Sequence, residues 1–188
     1  MKKTFLFLLS AAPLFLTSCS NDDTPAYVNE DEVITTVTAT FTPASGGTAI
    51  TLRSRDMDGD GPTAPVVTVS GPFTAGVSYN GTVTFTNELT SPATNITDEI
   101  EEEGTQHQLF FRQSGLGIFT YADTDNNGRP VGLQFNYTAT SAAATGNLTI
   151  TLRHQPDKTA TGVSGGDITN AGGSTDAEVQ FPVTVTTP

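Results

Sequence analysis

The sequence predicts an all-β protein, an antiparallel β-sandwich of immunoglobulin-like type, and three observations lead there. Short runs alternate apolar and polar residues at the two-residue period of a pleated strand. Clusters of Gly, Pro, Asn, Asp and Ser separate those runs, as turn chemistry requires. The composition is rich in Thr, with 18 Gly and 11 Pro against no Trp, which favours β-branched strands and turns over helices. A half-buried strand must set its apolar face against another layer, so nine such runs without a long helix call for two packed sheets. A closed barrel is the next architecture in line.

Taken in order, residues 33–41 place Val33, Val37, Ala39 and Phe41 on one face and mostly Thr on the other. Ser45-Gly46-Gly47 turns the chain into a second strand over 48–53, with Ile50 and Leu52 inward. Residues 65–69 form a short run, and Tyr79, Val83 and Phe85 share the next inward face. The runs 108–112 and 117–122 carry Phe110, Phe111 and Phe119, which read as core or interface residues. Val131, Leu133, Phe135 and Tyr137 follow, then Leu148, Ile150 and Leu152, then Val179, Phe181, Val183 and Val185. The polar stretch 157–176, with Gly165-Gly166 and Gly172-Gly173, reads as a long loop of a length that often carries function. Segments 81–86 and 146–151 share a pattern, but the lengths around them do not repeat, so no duplication is implied.

The N-terminus reads as an address. Met1-Lys2-Lys3 is a positive leader, and a short apolar run to Leu16, broken by Pro13, is the pattern of a secretory signal too short to span a bilayer. Leu16-Thr17-Ser18-Cys19 resembles the lipobox of bacterial lipoproteins, whose cysteine becomes the acylated mature terminus. Cys19 is the sole thiol, so no disulfide forms within one chain. Acyl chains contribute about 0.8 kcal/mol per buried methylene, enough together to hold the body on a membrane without a spanning segment. The expected organisation is a signal peptide over 1–18, a lipidated flexible acidic tether over 19–32, and one sandwich domain over 33–188. Ser20-Asn21-Asp22-Asp23 resembles the tether of surface-exposed lipoproteins of Bacteroidota.

Charge narrows the partners. Twenty Asp plus Glu against 8 Lys plus Arg give a net charge of -12, with no positive field to neutralise phosphates. Nucleic acid and direct adsorption to anionic headgroups are therefore disfavoured, whereas cations and basic surfaces fit.

Two loops match D-x-D-x-D-G, the opening of a calcium loop in which alternate oxygens curl around the ion. The first offers Asp56, Asp58 and Asp60, the second Asp123, Asp125 and Asn127. Neither is an EF-hand, because Val67 and Gln134 stand where a bidentate Glu would be and flanking helices are not predicted. Polar β-turns use the same residues, so calcium is weighed against ordinary turn chemistry. The run 98–103 holds five acids in six positions and reads as a solvated loop. With Glu101, Glu103 and His107 it offers oxygen and nitrogen ligands for zinc or another transition metal, or a docking patch for a basic partner. His154, at the end of a run, reads as a structural or surface residue. No G-x-S-x-G elbow, Walker A loop, H-E-x-x-H helix or C-x-x-C pair is present, so no enzyme chemistry is expected.

The segments NEDEVITTVTATFTP, RDMDGDGP, ITDEIEEEGTQHQLFF, YADTDNNGRPVGL and LRHQPDK resemble a family of small outer-membrane lipoproteins of flavobacteria and relatives. The resemblance implies an accessory to TonB-dependent receptors, without catalytic residues. A periplasmic-binding fold, the name some of these proteins carry, needs repeated βαβ units that this sequence lacks. The expected function is a surface lipoprotein that binds a ligand or metal beside such a receptor, with the acidic run 98–103 in the contact. A structural or adhesive lipoprotein with no small-molecule ligand is the alternative.

Overall fold

The computed structural model describes residues 33–59 and 61–188. Eleven strands are found among them: β1 Thr36–Pro43, β2 Ile50–Arg55, β3 Val66–Val69, β4 Phe73–Thr74, β5 Ser78–Asn87, β6 Thr94–Asn95, β7 His107–Arg112, β8 Gly117–Tyr121, β9 Gln134–Ala139, β10 Ala144–His154 and β11 Ser174–Thr186. One short helix, α1 Thr97–Glu102, lies between β6 and β7. The larger sheet runs β3-β2-β1-β5-β9-β8, with β6 against β5, and the smaller runs β4-β11-β10-β7. Pairing is antiparallel except where β4 meets β11. The two sheets pack as a β-sandwich, as the alternating runs require.

Burial follows the period of two. On β5, Tyr79, Gly81, Val83 and Phe85 are buried while the residues between them are exposed. On β1, Val37, Ala39 and Phe41 are buried. Phe41 centres the core, with the rings of Phe73, Phe135 and Tyr137 edge-on to it at 4.8, 5.2 and 5.6 Å between centroids. Such edge-to-face contacts add about 0.5–1.5 kcal/mol each beyond the area they bury. Gly81 faces Phe135 across the β5–β9 ladder, and a Cβ there would sit 2.1 Å from the ring. The ring lies across the strand because no side chain occupies that position.

Three expectations need correction. Val33 precedes β1 and is 50% exposed rather than inward, because the ladder begins at Thr36. The acidic run is α1 rather than a loop. One apolar residue, the fully buried Ile100, pins it, the Asn95 carboxamide oxygen accepts the Thr97 N–H, and Asp98 and Glu99 occupy the first turn, where the helix dipole favours them. The stretch after β10 is not wholly irregular. It forms two short 3-10 turns, Val163–Gly165 and Ile168–Asn170, and buries Val163 and Ala171 against Phe110 on the outer face of β7.

Candidate metal centre

Three adjacent strands of the smaller sheet converge on one cluster. Leu148, Ile150 and Leu152 alternate inward along β10, and His154 is the next position in that row. The β10–β7 register sets Ile150 opposite Phe111, Leu152 opposite Leu109 and His154 opposite His107, so the two histidines form a cross-strand pair. Their rings stack at 4.9 Å with 15° between planes. On the other side of β10, Leu152 pairs with Ala177 but Arg153 pairs with Thr175, which leaves Asp176 as the extra residue of a bulge. Regular alternation on β11 turns Val185, Val183, Phe181 and Val179 inward, and the bulge adds Asp176 to that side.

The result is two imidazoles and a carboxylate at the end of the inner face. His107 Nε2 lies 3.7 Å from Asp176 Oδ2, and His154 Nδ1 lies 4.0 Å from Asp176 Oδ1. One ligand atom from each of the three residues falls within 4.8 Å of the others. Metal bonds of about 2.0–2.1 Å in a tetrahedron put ligand atoms about 3.4 Å apart, so side-chain shifts on the order of an ångström or less would close the set on an ion. His107 Nδ1 is 3.2 Å from the Glu103 carbonyl oxygen. Donation of the Nδ1 hydrogen to that carbonyl leaves the Nε2 lone pair directed at the Asp176 side, the tautomer and outer support of a histidine ligand. Burial pushes the His107 pKa down, the bond to Glu103 opposes this, and the charge of His154 adds to the lowering. Burial thus favours the neutral imidazole, the form that ligates. Nitrogen and carboxylate ligands together suit zinc and its transition-metal neighbours more than calcium or magnesium.

The expected trio of Glu101, Glu103 and His107 is not brought together. Among the described residues, His107, His154 and Asp176 are the one group of three metal-ligating side chains that converge. Glu101 is exposed on α1, and Glu103 serves His107 through its backbone carbonyl.

The two Asp loops differ. Asp56 Oδ1 accepts the Asp58 N–H at 3.2 Å and Asp58 Oδ2 accepts the Thr63 N–H at 3.1 Å, while Asp60 lies outside the described residues. In the second loop Asp123 accepts N–H groups from Gly132 and Gln134 at 2.7 and 2.8 Å. Asp125 Oδ1 accepts from Asn127 and Arg129 at 2.8 and 2.9 Å. Its Oδ2 meets Lys158 Nζ at 3.0 Å, and the same ammonium donates to the carbonyls of Gly104 and Pro130 at 2.5 and 2.8 Å. Three acceptors take three ammonium hydrogens, which only protonated Lys158 supplies. Burial tends to raise the Asp125 pKa, but the bonds from Arg129, Lys158 and Asn127 outweigh it and hold the carboxyl below its ordinary range. A side-chain cation thus already takes Asp125 Oδ2, and backbone N–H groups take the other three carboxylate oxygens of the second loop, whereas Asn127 itself is exposed.

Cys19 and the lipobox lie outside the described residues, and among the described ones no helix is long and apolar enough to cross a membrane. No protein-family model, no curated protein and no solved structure matches this chain.

Proposed function

We propose that this protein is an outer-membrane lipoprotein, held through Cys19 and exposed at the cell surface, that binds a transition-metal ion as a non-enzymatic accessory to TonB-dependent uptake. The observation that carries the metal reading is the buried convergence of His107, His154 and Asp176 from three neighbouring strands. The lipobox pattern and the resemblance of the quoted segments to receptor-associated lipoproteins support the anchor and the partner. The acidic exposed face of α1 suits contact with a basic surface on that receptor, where charge would speed encounter and set orientation. A calcium ion is proposed at the first loop, through Asp56, Asp58 and Asp60, since Lys158 competes for the Asp125 carboxylate of the second.

The alternative, an adhesive lipoprotein without a small ligand, draws on the exposed edges of the larger sheet, where Val66 on β3 and Ile118 on β8 are 63% and 69% exposed. Gentle detergent extraction from membranes, metal analysis and mass spectrometry of co-purified proteins separate the readings. Metal in the wild type, its loss in His154→Ala and a co-purifying receptor would support the first. A metal-free protein that takes up neither zinc nor cobalt would leave the second.

A further inference from the structure

We propose that Lys158 and Asp125 condense in the folded protein into an amide between Nζ and Cγ, a covalent cross-link from the loop before β9 to the segment after β10. Lys158 is the only lysine of the chain after Lys2 and Lys3, and its side chain is buried against that of Asp125. Arg53, Arg55 and Arg112 make more exposed ion pairs, and a guanidinium stays protonated. A lysine ammonium taken out of water gives up its proton far more readily, and the amine that remains is a nucleophile.

The contacts around the pair set up the attack. Nζ lies 3.0 Å from Oδ2, which is one bond from Cγ. The carbonyls of Gly104 and Pro130, at 2.5 and 2.8 Å, hold two of the Nζ hydrogens and leave the third for Oδ2. Transfer of that third proton to Oδ2 gives an amine whose lone pair faces the carboxyl group. Oδ1 accepts from the N–H groups of Asn127 and Arg129 at 2.8 and 2.9 Å, so two fixed donors stand where negative charge develops as Nζ adds to Cγ. Holding both partners in place replaces an encounter in solution with an intramolecular step.

A second Nζ hydrogen then passes to Oδ2, the Cγ–Oδ2 bond breaks and water leaves. One ammonium and one carboxylate become one neutral amide and one water, and nothing is oxidised or reduced. Two buried charges disappear with their desolvation cost. The former Oδ1 keeps its two backbone donors, and the remaining amide hydrogen serves one of the two carbonyls. Burial pushes the Lys158 pKa down, while the bond and charge of Asp125 pull it up. Burial acts to raise the Asp125 pKa, but the bonds to its oxygens hold it low. The neutral pair is therefore a minor species, and the amide forms slowly, after folding.

Peptide mapping by mass spectrometry tests this on the full chain, purified and kept folded at neutral pH for days. The peptide that contains Asp125 should be recovered joined to the one that contains Lys158, lighter than their sum by one water, and trypsin should not cut after Lys158. The deficit is read from these peptides, so lipid at Cys19 does not enter. Lys158→Arg keeps the positive charge but cannot form the amide, and should give the two peptides unjoined. If that variant does not fold, the wild-type map decides alone. Wild-type chains cut after Lys158, with both peptides at their sequence masses, would overturn the cross-link. A water loss that maps elsewhere, as in a succinimide at Asp60-Gly61, with Lys158 unlinked, would overturn it equally.

Discussion

His107 and His154 face each other across the β7–β10 ladder with their rings stacked at 4.9 Å, and the Asp176 carboxylate approaches both from β11. Two stacked imidazoles beside one carboxylate gain from a shared cation, and binding to the folded state alone raises stability by mass action. With free zinc at a hundredfold the dissociation constant, the gain is about 2.7 kcal/mol. We predict that zinc raises the melting temperature of the wild type and not that of His107→Ala or His154→Ala. Scanning calorimetry with zinc and with chelator checks it, and equal shifts in all three proteins would place the ion elsewhere.

The buried pair of Lys158 and Asp125 gives a second prediction. Their side chains are 3% and 1% exposed, and Lys158 joins the second Asp loop to the turn before β7 through Gly104. Lys158→Met strands a buried carboxylate and should cost about 3–5 kcal/mol. Lys158→Met with Asp125→Leu should cost less than the sum of the two single changes, because the stranded charge is gone. Urea denaturation of the four proteins measures the coupling, and simple additivity would mean that solvent screens the pair.

Glu88 gives the acid limb of stability. It accepts from Arg55 Nε at 2.6 Å, Arg53 Nη2 at 2.5 Å and Thr36 Oγ1 at 2.8 Å, which ties β5 to β1 and β2. The bond from Arg55, then that from Thr36, lowers its pKa from 4.5 to about 2. A carboxyl lowered on folding stabilises above its unfolded pKa, so this contribution is complete above about pH 4.5 and disappears as the pH falls through about 2. Both arginines are substantially exposed, so salt should weaken the effect. Glu88→Gln should flatten the stability profile between those two pH values. An unchanged acid limb in the variant would assign it to other carboxyls.

How far the sequence reaches depends on whether the period of two is intact. Phe41, Val83, Phe135 and Ile150 sit in runs long enough to show it, and all are buried. The two-residue strands β4 and β6 are too short to show any period. In the acidic run a single residue, Ile100, does the anchoring, and five acids around it carry the signal of a solvated loop. His154 continues the inward row of Leu148, Ile150 and Leu152, so its inward direction was legible, although its partners were not. The role of Lys158 was hidden because its acceptors come from Gly104, Asp125 and Pro130, far along the chain. Asp176 was hidden for a different reason: a bulge changes which residues face inward, and nothing in local composition marks where a ladder slips.

That slip makes the last prediction. Residues on both sides of Asp176 already pair in consecutive positions of β10, Ala177 with Leu152 and Thr175 with Arg153. Deleting Asp176 would therefore join two segments that already match their partners, and Ser174 would keep its place opposite His154. The ladder should close into regular pairing without turning Val179, Phe181, Val183 or Val185 away from the core. We expect the deletion to keep the β-sheet circular dichroism and a cooperative melt, with a change in stability smaller than the 3–5 kcal/mol typical of truncating a core Phe to Ala. The same deletion should abolish the visible ligand-field bands that cobalt(II) added to the wild type would show at this site, because Thr175, paired with Arg153, does not take over the inward position. A deletion that unfolds the protein would show that the bulge holds the sheet together; one that folds and still binds cobalt like the wild type would remove Asp176 from the ligand set.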